Sequence, residues 1–177
     1  MALPRSFLRC DGTMRALTFW PEWAFAVHYL GKPLENRTWA IPKGEWFGLH
    51  AGKSIGGTGR IYKDGHRVNE ALVEGVEGMG GMAKRAGWSS VGTIRQATFT
   101  RGSEVAEWDI NRLTASAITG LFRVTAHLHH SDDPWHVPGQ IGNTFDYIPL
   151  AEPVACKGAQ QLWAVPVDVV ERMRVAA

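Results

Sequence analysis

Apolar and polar residues alternate along several short segments of the chain, which predicts strands. In EWFGLHAG, Phe47 and Leu49 fall on one face and His50 on the other, as the two-residue period of a strand requires. The segment SAITGLFRVTAHLHH carries the longest such alternation. Shorter strands are predicted at 16–19 and 161–165.

The spacing of apolar residues changes to three and four in WPEWAFAVHYLG, which predicts a helix. Trp23, Val27 and Leu30 form its buried face. Pro21 suits the first helical position, where its missing N–H has no intrahelical acceptor. Glu22 lies in the first turn, where the helix macrodipole favours a negative charge.

Weaker helical patterns cover 68–86, 103–113 and 167–175. Four glycines interrupt the first of these, and each costs a helix about 1 kcal/mol relative to alanine. Short strands with few helices and long loops predict an α+β fold built on a small barrel-like sheet. The stretch at about 54–113 is predicted to be a partly helical insertion within a single domain that spans 1–177.

The composition is that of an ordinary globular chain. Of the 177 residues, 45% are hydrophobic and 20% are charged, which is enough for one domain with a core. No apolar run approaches the roughly 18 residues of a membrane span, so no membrane partner is predicted. The N-terminus lacks the apolar stretch of a secretory signal, and the two cysteines are far apart. A reducing, cytoplasmic location is therefore the expectation.

Charge changes this picture only locally. The net charge of +2 is too small to indicate nonspecific coating of DNA. Segment 32–67 is more basic, with seven lysines and arginines against three acidic residues. Two interpretations fit this segment: a solvated face of mixed charge, and a mild basic rim for a ligand that carries phosphate.

The segment GEWFGLHAGKS ends like a nucleotide-binding P-loop. A P-loop has the pattern G-x-x-x-x-G-K-[ST], so that its backbone N–H groups surround a phosphate. Here only three residues separate Gly48 from Gly52, and Phe47 stands where the first glycine is needed. The spacing argues against an NTPase.

Several elements follow one another in an order that has a counterpart in a known family. The segment TFWPEWAFAVHYLGKPLENRTWAIPKGEWFGLHAGKS contains a strand, a tryptophan-bearing helix, a Gly-Lys…Glu-x-Arg-x-Trp element and a strand ending in His-Ala-x-Lys. In order and spacing it resembles ASCH domains, the activating signal cointegrator homology family. LTASAITGLFRV, DPWHVPGQIG and PVACKGAQQLWAVP resemble later family elements. The similarity covers 16–53 and 114–166. The matching positions are Trp23, Gly31, Lys32, Glu35, Arg37, Trp39, His50, Ala51 and Lys53.

The resemblance implies a PUA-like fold, a small β-barrel flanked by helices. The related PUA, EVE and YTH domains bind RNA or modified bases in a cleft on the barrel, and ASCH domains are inferred to do the same. The implied function is a module that binds nucleic acid, either RNA or single-stranded or modified DNA, or a modified nucleotide or nucleoside. No cofactor is expected.

The element KPLENRTW contains groups that suit this function. In an extended segment Glu35, Arg37 and Trp39 point the same way. A carboxylate accepts from a base amine, a guanidinium donates to a carbonyl or phosphate, and an indole stacks on a base. The alternative is a structural ion pair with Trp39 in the core. The predicted cleft is lined by Trp20, Trp23, Glu35, Arg37, Trp39, His50, Lys53, Trp135 and Lys157.

Two enzymatic alternatives stay open. Some bacterial ASCH-like proteins are amidohydrolases acting on N4-acetylcytidine, in which a threonine nucleophile follows the lysine by three residues. Here Lys32 is followed by Glu35 at that place. Thr38 lies three residues further along and, in an extended segment, on the same face as Lys32. A carboxylate does not replace a hydroxyl nucleophile in amide hydrolysis. A ribonuclease using His50 and Lys53 is the other alternative.

The histidine-rich segment HLHHSDDPWH suggests a metal-dependent hydrolase as a third class. His127 and His129 share one strand face, and imidazole and carboxylate groups are ligands for zinc and manganese. Neither an HExxH helix nor a spaced cysteine pair accompanies them. No metal is therefore predicted. The remaining members of the segment are His130, Asp132, Asp133 and His136.

Overall fold

The computed structural model describes residues 3–52, 60–63 and 66–176 of the chain. After a short 3-10 helix, Arg5–Phe7, the elements are β1 (Arg15–Phe19), α1 (Pro21–Tyr29), β2 (Leu34–Arg37), β3 (Trp46–Ala51), β4 (Arg60–Lys63), β5 (His66–Asn69), α2 (Glu70–Arg85), β6 (Ser89–Gly92), β7 (Gln96–Arg101), β8 (Glu104–Asp109), β9 (Ala117–Leu128), β10 (Ile141–Ala155), β11 (Leu162–Ala164) and α3 (Val167–Arg172). The chain divides into two compact units. The barrel unit comprises Met1–Phe19, Pro33–Gly52 and Ser116–Ala177, and the second unit comprises Trp20–Lys32 and Lys53–Ala115.

The barrel unit is built on one six-stranded sheet with the order β11-β1-β3-β9-β10-β2. The β1–β3 pair is parallel, and every other neighbouring pair is antiparallel. The sheet curls into a half-barrel: Arg37 at the end of β2 donates from Nη2 to the carbonyl of Thr18 on β1, at 3.0 Å. Three strands separate β1 from β2 in the sheet order. The prediction of an α+β fold with a small barrel-like sheet and few helices is confirmed.

The inner face of the sheet is packed around Phe122. This fully buried ring lies 5.6 Å from the Phe19 ring, 5.4 Å from Phe47 and 5.6 Å from Phe145, measured between centroids. Phe47 and Leu49 point into the same core, as their alternation predicted. The aromatic cluster joins four strands, β1, β3, β9 and β10.

The outer face carries a second apolar cluster, which sequence alternation alone did not indicate. Its members come from the first half of β9, the second half of β10, and the residues in or directly beside β1, β11 and α3. They are Met14, Ala16, Ile118, Leu121, Leu150, Val154, Val165, Val169 and Met173. The first six residues of β9 are buried on both faces, whereas Thr125 further along is exposed. A strand covered on both sides needs a nearly continuous apolar run instead of alternation. AITGLF supplies one with a single polar residue, Thr119, whose hydroxyl donates to the Leu49 carbonyl at 3.4 Å.

The second unit contains α1, α2 and a three-stranded sheet in the order β6-β7-β8. Phe25 of α1 packs edge-on against Trp108 at 5.2 Å and also contacts Phe99, at 6.1 Å. The indole N–H of Trp88 donates to the carbonyl of Leu30 at the end of α1, at 3.0 Å. The helix predicted over 68–86 is confirmed as α2. The predicted insertion at about 54–113 thus forms one compact unit with the earlier helix α1.

The helix predicted near 103–113 is wrong, because Glu104–Asp109 is strand β8. Gly102 has φ +59°, a value that suits glycine, and forms the turn of a hairpin with β7. Ala106 and Trp108 are buried while Val105 and Glu107 are exposed, which is a period of two. The hairpin turn and the pairing with β7 override a local helical pattern.

Other predicted elements are found with shifted ends. The C-terminal helix begins at Val167 as expected but ends at Arg172. The strand after the DPWHVPGQIG loop is longer than predicted, since β10 covers 15 residues. Among the residues that the structure describes, no helix has both the length and the apolar character needed to cross a membrane.

Candidate functional site

Glu35 and Arg37 form an ion pair on β2. Their Oε1 and Nε atoms are 3.0 Å apart, which agrees with the prediction that the two side chains lie on one face of the strand. The angle at Nε does not suit a hydrogen bond, so the contact is electrostatic. Glu35 is only 7% exposed, whereas the Arg37 side chain retains 29% of its surface. The exposed partner is therefore the cation.

Main-chain contacts hold β2 in place behind this pair. The buried side chain of Asn143 on β10 donates from Nδ2 to the Glu35 carbonyl at 3.1 Å and accepts from the Ile41 N–H at 2.8 Å. Asn36 donates from Nδ2 to the Trp135 carbonyl at 2.8 Å. The backbone that carries Glu35 and Arg37 is thus held by β10 and by the loop that contains Trp135.

A second cluster lies where β1 and β3 end. Nδ1 of His50 lies 3.2 Å from Oγ1 of Thr18, and the Trp163 indole N–H donates to the same hydroxyl oxygen at 3.2 Å. The Thr18 hydroxyl in turn donates to the Ala159 carbonyl at 2.8 Å. The rings of His50 and Trp163 meet edge-on with centroids 5.4 Å apart. Thr18 therefore connects β1, β3 and β11.

His50 is buried and engaged at both ring nitrogens. It is 2% exposed, and its Nε2 lies 3.2 Å from the carbonyl of Cys156. A carbonyl only accepts, so Nε2 carries a hydrogen. Burial lowers the pKa of His50, and the Cys156 carbonyl offsets this only in part. The neutral imidazole is the form favoured here.

The Glu35–Arg37 pair and the His50 cluster meet at Thr18. Arg37 binds the main-chain carbonyl of Thr18, and His50 faces the side-chain hydroxyl of the same residue. Three residues of the predicted cleft, Glu35, Arg37 and His50, are thus brought together in the barrel unit. The prediction that His50 lies at the mouth of the cleft differs from its observed burial, because the connection between β10 and β11 and the Trp163 ring pack on its imidazole.

The other predicted residues of the barrel unit differ in accessibility. Trp39 is half-buried, and Lys157 is exposed on the segment between β10 and β11. Trp135 is 2% exposed and is therefore a packed residue, not an accessible stacking surface. Thr38 is exposed, just beyond the end of β2.

The remaining predicted residues lie outside the barrel unit. Trp20, Trp23 and Lys32 belong to the second unit. There Trp20 is 50% exposed, and the Lys32 ammonium, itself buried, lies 5.5 Å from the centroid of the Trp23 ring. Lys53 lies outside the described residues.

The histidine-rich segment does not assemble a metal site in the described part of the chain, where no three His, Cys, Asp or Glu side chains are grouped to hold an ion. Two of its histidines face main-chain carbonyls. Nε2 of His127 lies 2.8 Å from the Ile41 carbonyl, and Nε2 of His136 lies 3.2 Å from the Gln140 carbonyl. Both side chains are thus engaged in holding loops.

Four contributors to this site escaped prediction: Thr18, Asn143, Trp163 and Gly158, at which a Cβ would collide with the His50 ring. Thr18 and Trp163 each stand on a short strand where a polar or aromatic residue carries no special signal. Asn143 acts through main-chain partners about 100 residues earlier, such as Ile41. Only the Lys-Gly turn at 157–158 gave a signal, since glycine in a tight connection indicates close backbone approach.

Comparison with known proteins adds no assignment. No protein-family model matches the chain, and no curated protein matches it. What defines its class is the fold itself, an α+β chain with a curled six-stranded half-barrel sheet and a smaller three-stranded sheet.

Proposed function

We propose that the barrel unit is a PUA-like, ASCH-type module that binds nucleic acid or a modified nucleotide and reads a base through Arg37. The observation that carries the proposal is the fixed guanidinium. Arg37 is held by Glu35 through charge and by the Thr18 carbonyl through a hydrogen bond, yet its side chain remains 29% exposed.

An arginine held in this way suits recognition of a base or phosphate. A guanidinium has five N–H donors, and among the described residues the Thr18 carbonyl is the hydrogen-bond acceptor found for Arg37. Donors are left to meet a carbonyl or ring nitrogen of a base, or a phosphate oxygen. Because the side chain is already ordered, binding loses less conformational entropy than with a mobile arginine.

Two neighbouring groups supply the other parts of a nucleotide site. Trp39 follows Arg37 by two residues and is half-buried, so its indole is partly accessible for stacking on a base. Lys157 is exposed and lies next to Cys156, whose carbonyl is bonded to His50. Its ammonium is the candidate contact for a backbone phosphate.

Replacing Arg37 by alanine is expected to weaken nucleoside or oligonucleotide binding about 10- to 100-fold, the range for the loss of one hydrogen bond to a charged group. Tryptophan fluorescence titrations with unmodified and modified nucleosides, then with ribo- and deoxyribo-oligonucleotides, measure the affinity. Circular dichroism checks that the variant is folded.

Arg123→Ala is the matched control for Arg37→Ala. Arg123 also stands in the six-stranded sheet and pairs with a carboxylate, Asp146, at 2.6 Å, but both side chains are more exposed than the Glu35–Arg37 pair. Its replacement should leave affinity unchanged. Equal effects of the two substitutions, or no binding by the wild-type protein to any ligand of the panel, would overturn the proposal.

Lys157→Ala tests the phosphate contact separately. For single strands, each neutralised phosphate contributes about 0.7 to the slope of log affinity against log salt concentration. The variant should lose about that much slope on an oligonucleotide and keep its affinity for an uncharged nucleoside. An unchanged slope would show that Lys157 does not bind phosphate.

The amidohydrolase alternative is checked in the same experiments. Incubation with N4-acetylcytidine, followed for release of cytidine, should show no turnover. Turnover that disappears in Lys32→Ala would replace the binding proposal with the enzymatic one.

A further inference from the structure

The segment Cys156–Ala159 is the first part of the connection from β10 to β11 and is attached to the sheet through two side chains. His50 donates from Nε2 to the Cys156 carbonyl, and Thr18 donates from Oγ1 to the Ala159 carbonyl. The segment is thus bonded at both of its ends. Between these two anchors lie Lys157 and Gly158.

Gly158 shows how closely the segment approaches. A Cβ added at this glycine would fall on the imidazole of His50 and lie 2.9 Å from Oγ1 of Thr18. Non-bonded contacts this short do not occur in folded proteins, so a side chain at this position would force the neighbouring atoms to move. The glycine is required because main chain packs directly on the two side chains.

The hydrogen-bond donors of the two side chains are fully used. A neutral imidazole with hydrogen on Nε2 donates to Cys156 and offers a lone pair at Nδ1. The single hydroxyl hydrogen of Thr18 lies between two acceptors, the Ala159 carbonyl at 2.8 Å and Nδ1 of His50 at 3.2 Å. Trp163 donates to the same hydroxyl. Removing the hydroxyl therefore affects three partners at once.

We infer that Thr18 and His50 are positioning residues that hold the segment Cys156–Ala159 on the sheet and so fix Lys157 relative to Arg37. Thr18 is the common anchor, since its side chain binds the segment and its carbonyl binds Arg37. The attachment exists without a ligand. Its consequence for affinity rests on the proposed function, in which Lys157 binds phosphate and Arg37 reads the base.

Cys156 provides a direct measurement of this attachment. Its side chain is half-buried and packs against the outer apolar cluster, so a thiol reagent reaches it fully only when the segment detaches. Cys10 is exposed and is removed as Cys10→Ser. In that background, the rate at which a disulfide reagent such as dithiodipyridine modifies Cys156 reports the open population.

Thr18→Val and Thr18→Ser form a matched pair for the test. Valine keeps the shape of threonine without the hydroxyl, and serine keeps the hydroxyl. Thr18→Val should raise the modification rate by about tenfold or more, the effect of losing at least one net hydrogen bond, and Thr18→Ser should stay near the wild-type rate. The rate of Cys156 modification should not depend on urea at concentrations below the unfolding transition, because the opening is local and exposes little surface.

His50 gives a second readout through pH. The groups that face it are the Thr18 hydroxyl from β1, the Trp163 ring from β11 and the Cys156 carbonyl, and in the described structure no charged side chain contributes to its pKa shift. Burial lowers the pKa of His50 below 6.5. The attached state is therefore fully stable above pH 6.5 and loses stability as the pH falls below that value. The rate of Cys156 modification, divided by the rate for a free thiol at the same pH, should increase as the pH is lowered in the wild type. The same ratio should not change with pH in His50→Gln.

The inference is overturned if Thr18→Val is modified at the Thr18→Ser rate, or if its modification follows urea as global unfolding does. It is also overturned if Gly158→Ala leaves the rate unchanged. Failure of the proposed function has a different signature, since it removes ligand binding from the wild type and leaves all of these modification rates as expected. If Thr18→Val reduces the slope of log affinity against log salt concentration as much as Lys157→Ala does, the result would support both this inference and the proposed function.

Discussion

Replacement of Glu22 by glutamine is expected to raise the free energy of unfolding by about 3 kcal/mol at about pH 8 and to leave it nearly unchanged at about pH 4. Glu22 is fully buried at the first turn of α1. Within the described part of the chain, neither carboxylate oxygen has a hydrogen-bond partner of suitable geometry. Burial is the larger effect and raises the pKa of this carboxyl from 4.5 to about 7, while its own backbone N–H acts in the opposite direction.

The direction of the pH effect follows from proton binding. Between pH 4.5 and about 7 the folded protein holds a proton on Glu22 that the unfolded chain has released. Stability therefore falls as pH rises through this range and stays low above it. Glutamine is uncharged at every pH, so the variant avoids the loss. The helix macrodipole, which favours a negative charge in this turn, is the weaker effect once the carboxylate is buried.

His28 on the same helix acts in the opposite direction. Burial lowers its pKa from 6.5 to about 4, so its contribution to stability is present above pH 6.5 and is lost as pH falls toward 4. In the wild type, the loss of stability from Glu22 as pH rises and the gain from His28 largely cancel between pH 4.5 and 6.5. In Glu22→Gln the contribution of His28 is uncovered, and stability should increase with pH across that interval.

Urea unfolding followed by circular dichroism across a pH series measures this difference. Glu152→Gln is the control, because Glu152 is an exposed carboxylate on β10 and its replacement should leave the pH profile as it is in the wild type. Parallel profiles for the wild type and Glu22→Gln would show that the Glu22 carboxyl is hydrated or paired in solution.

Replacement of Phe122 by alanine is expected to lower the free energy of unfolding by about 3–5 kcal/mol. The ring is fully buried and contacts three other aromatic rings on three different strands. Its removal loses the transfer free energy of the ring and leaves a cavity that rigid neighbours fill only in part.

Phe145→Ala is the matched control for this substitution. Phe145 stands on the adjacent strand β10 and contacts Phe122, but it is half-buried. Since less apolar surface is removed from the core, its loss should cost roughly 1–2 kcal/mol. Denaturant midpoints of the two variants measure the difference. Equal losses would mean that Phe122 is not the centre of the barrel core.

The alternation of apolar residues was sufficient to predict β3 and its inward face. Phe47 and Leu49 point into the core because a strand repeats every two residues whatever it packs against. The same rule placed Glu35 and Arg37 on one face of β2, and the structure pairs them. Pro21 and the helical spacing that follows it were sufficient for α1. These features depend on neighbours within a few residues, which the sequence displays directly.

The position of His50 needed the tertiary structure. Its parity placed it opposite Phe47, and an outward position was expected for it. The segment Cys156–Ala159 and the Trp163 ring cover the imidazole instead, and both lie more than 100 residues further along the chain. The error at 103–113 has a similar cause, because the hairpin with β7 supplies the backbone partners that decide between helix and strand.

By itself, the sequence determined the strand faces, the first helix, an α+β fold with a barrel-like sheet and the side-by-side placement of Glu35 and Arg37. Only the tertiary structure decided that Thr18 joins Arg37, His50 and the segment Cys156–Ala159. It alone also decided that Glu22 is buried without a hydrogen-bond partner in the described chain. The physical reason is the separation in sequence over which each interaction acts. Periodicity and capping act over a few residues, whereas burial and hydrogen bonding at Thr18 depend on main-chain atoms 141 residues away.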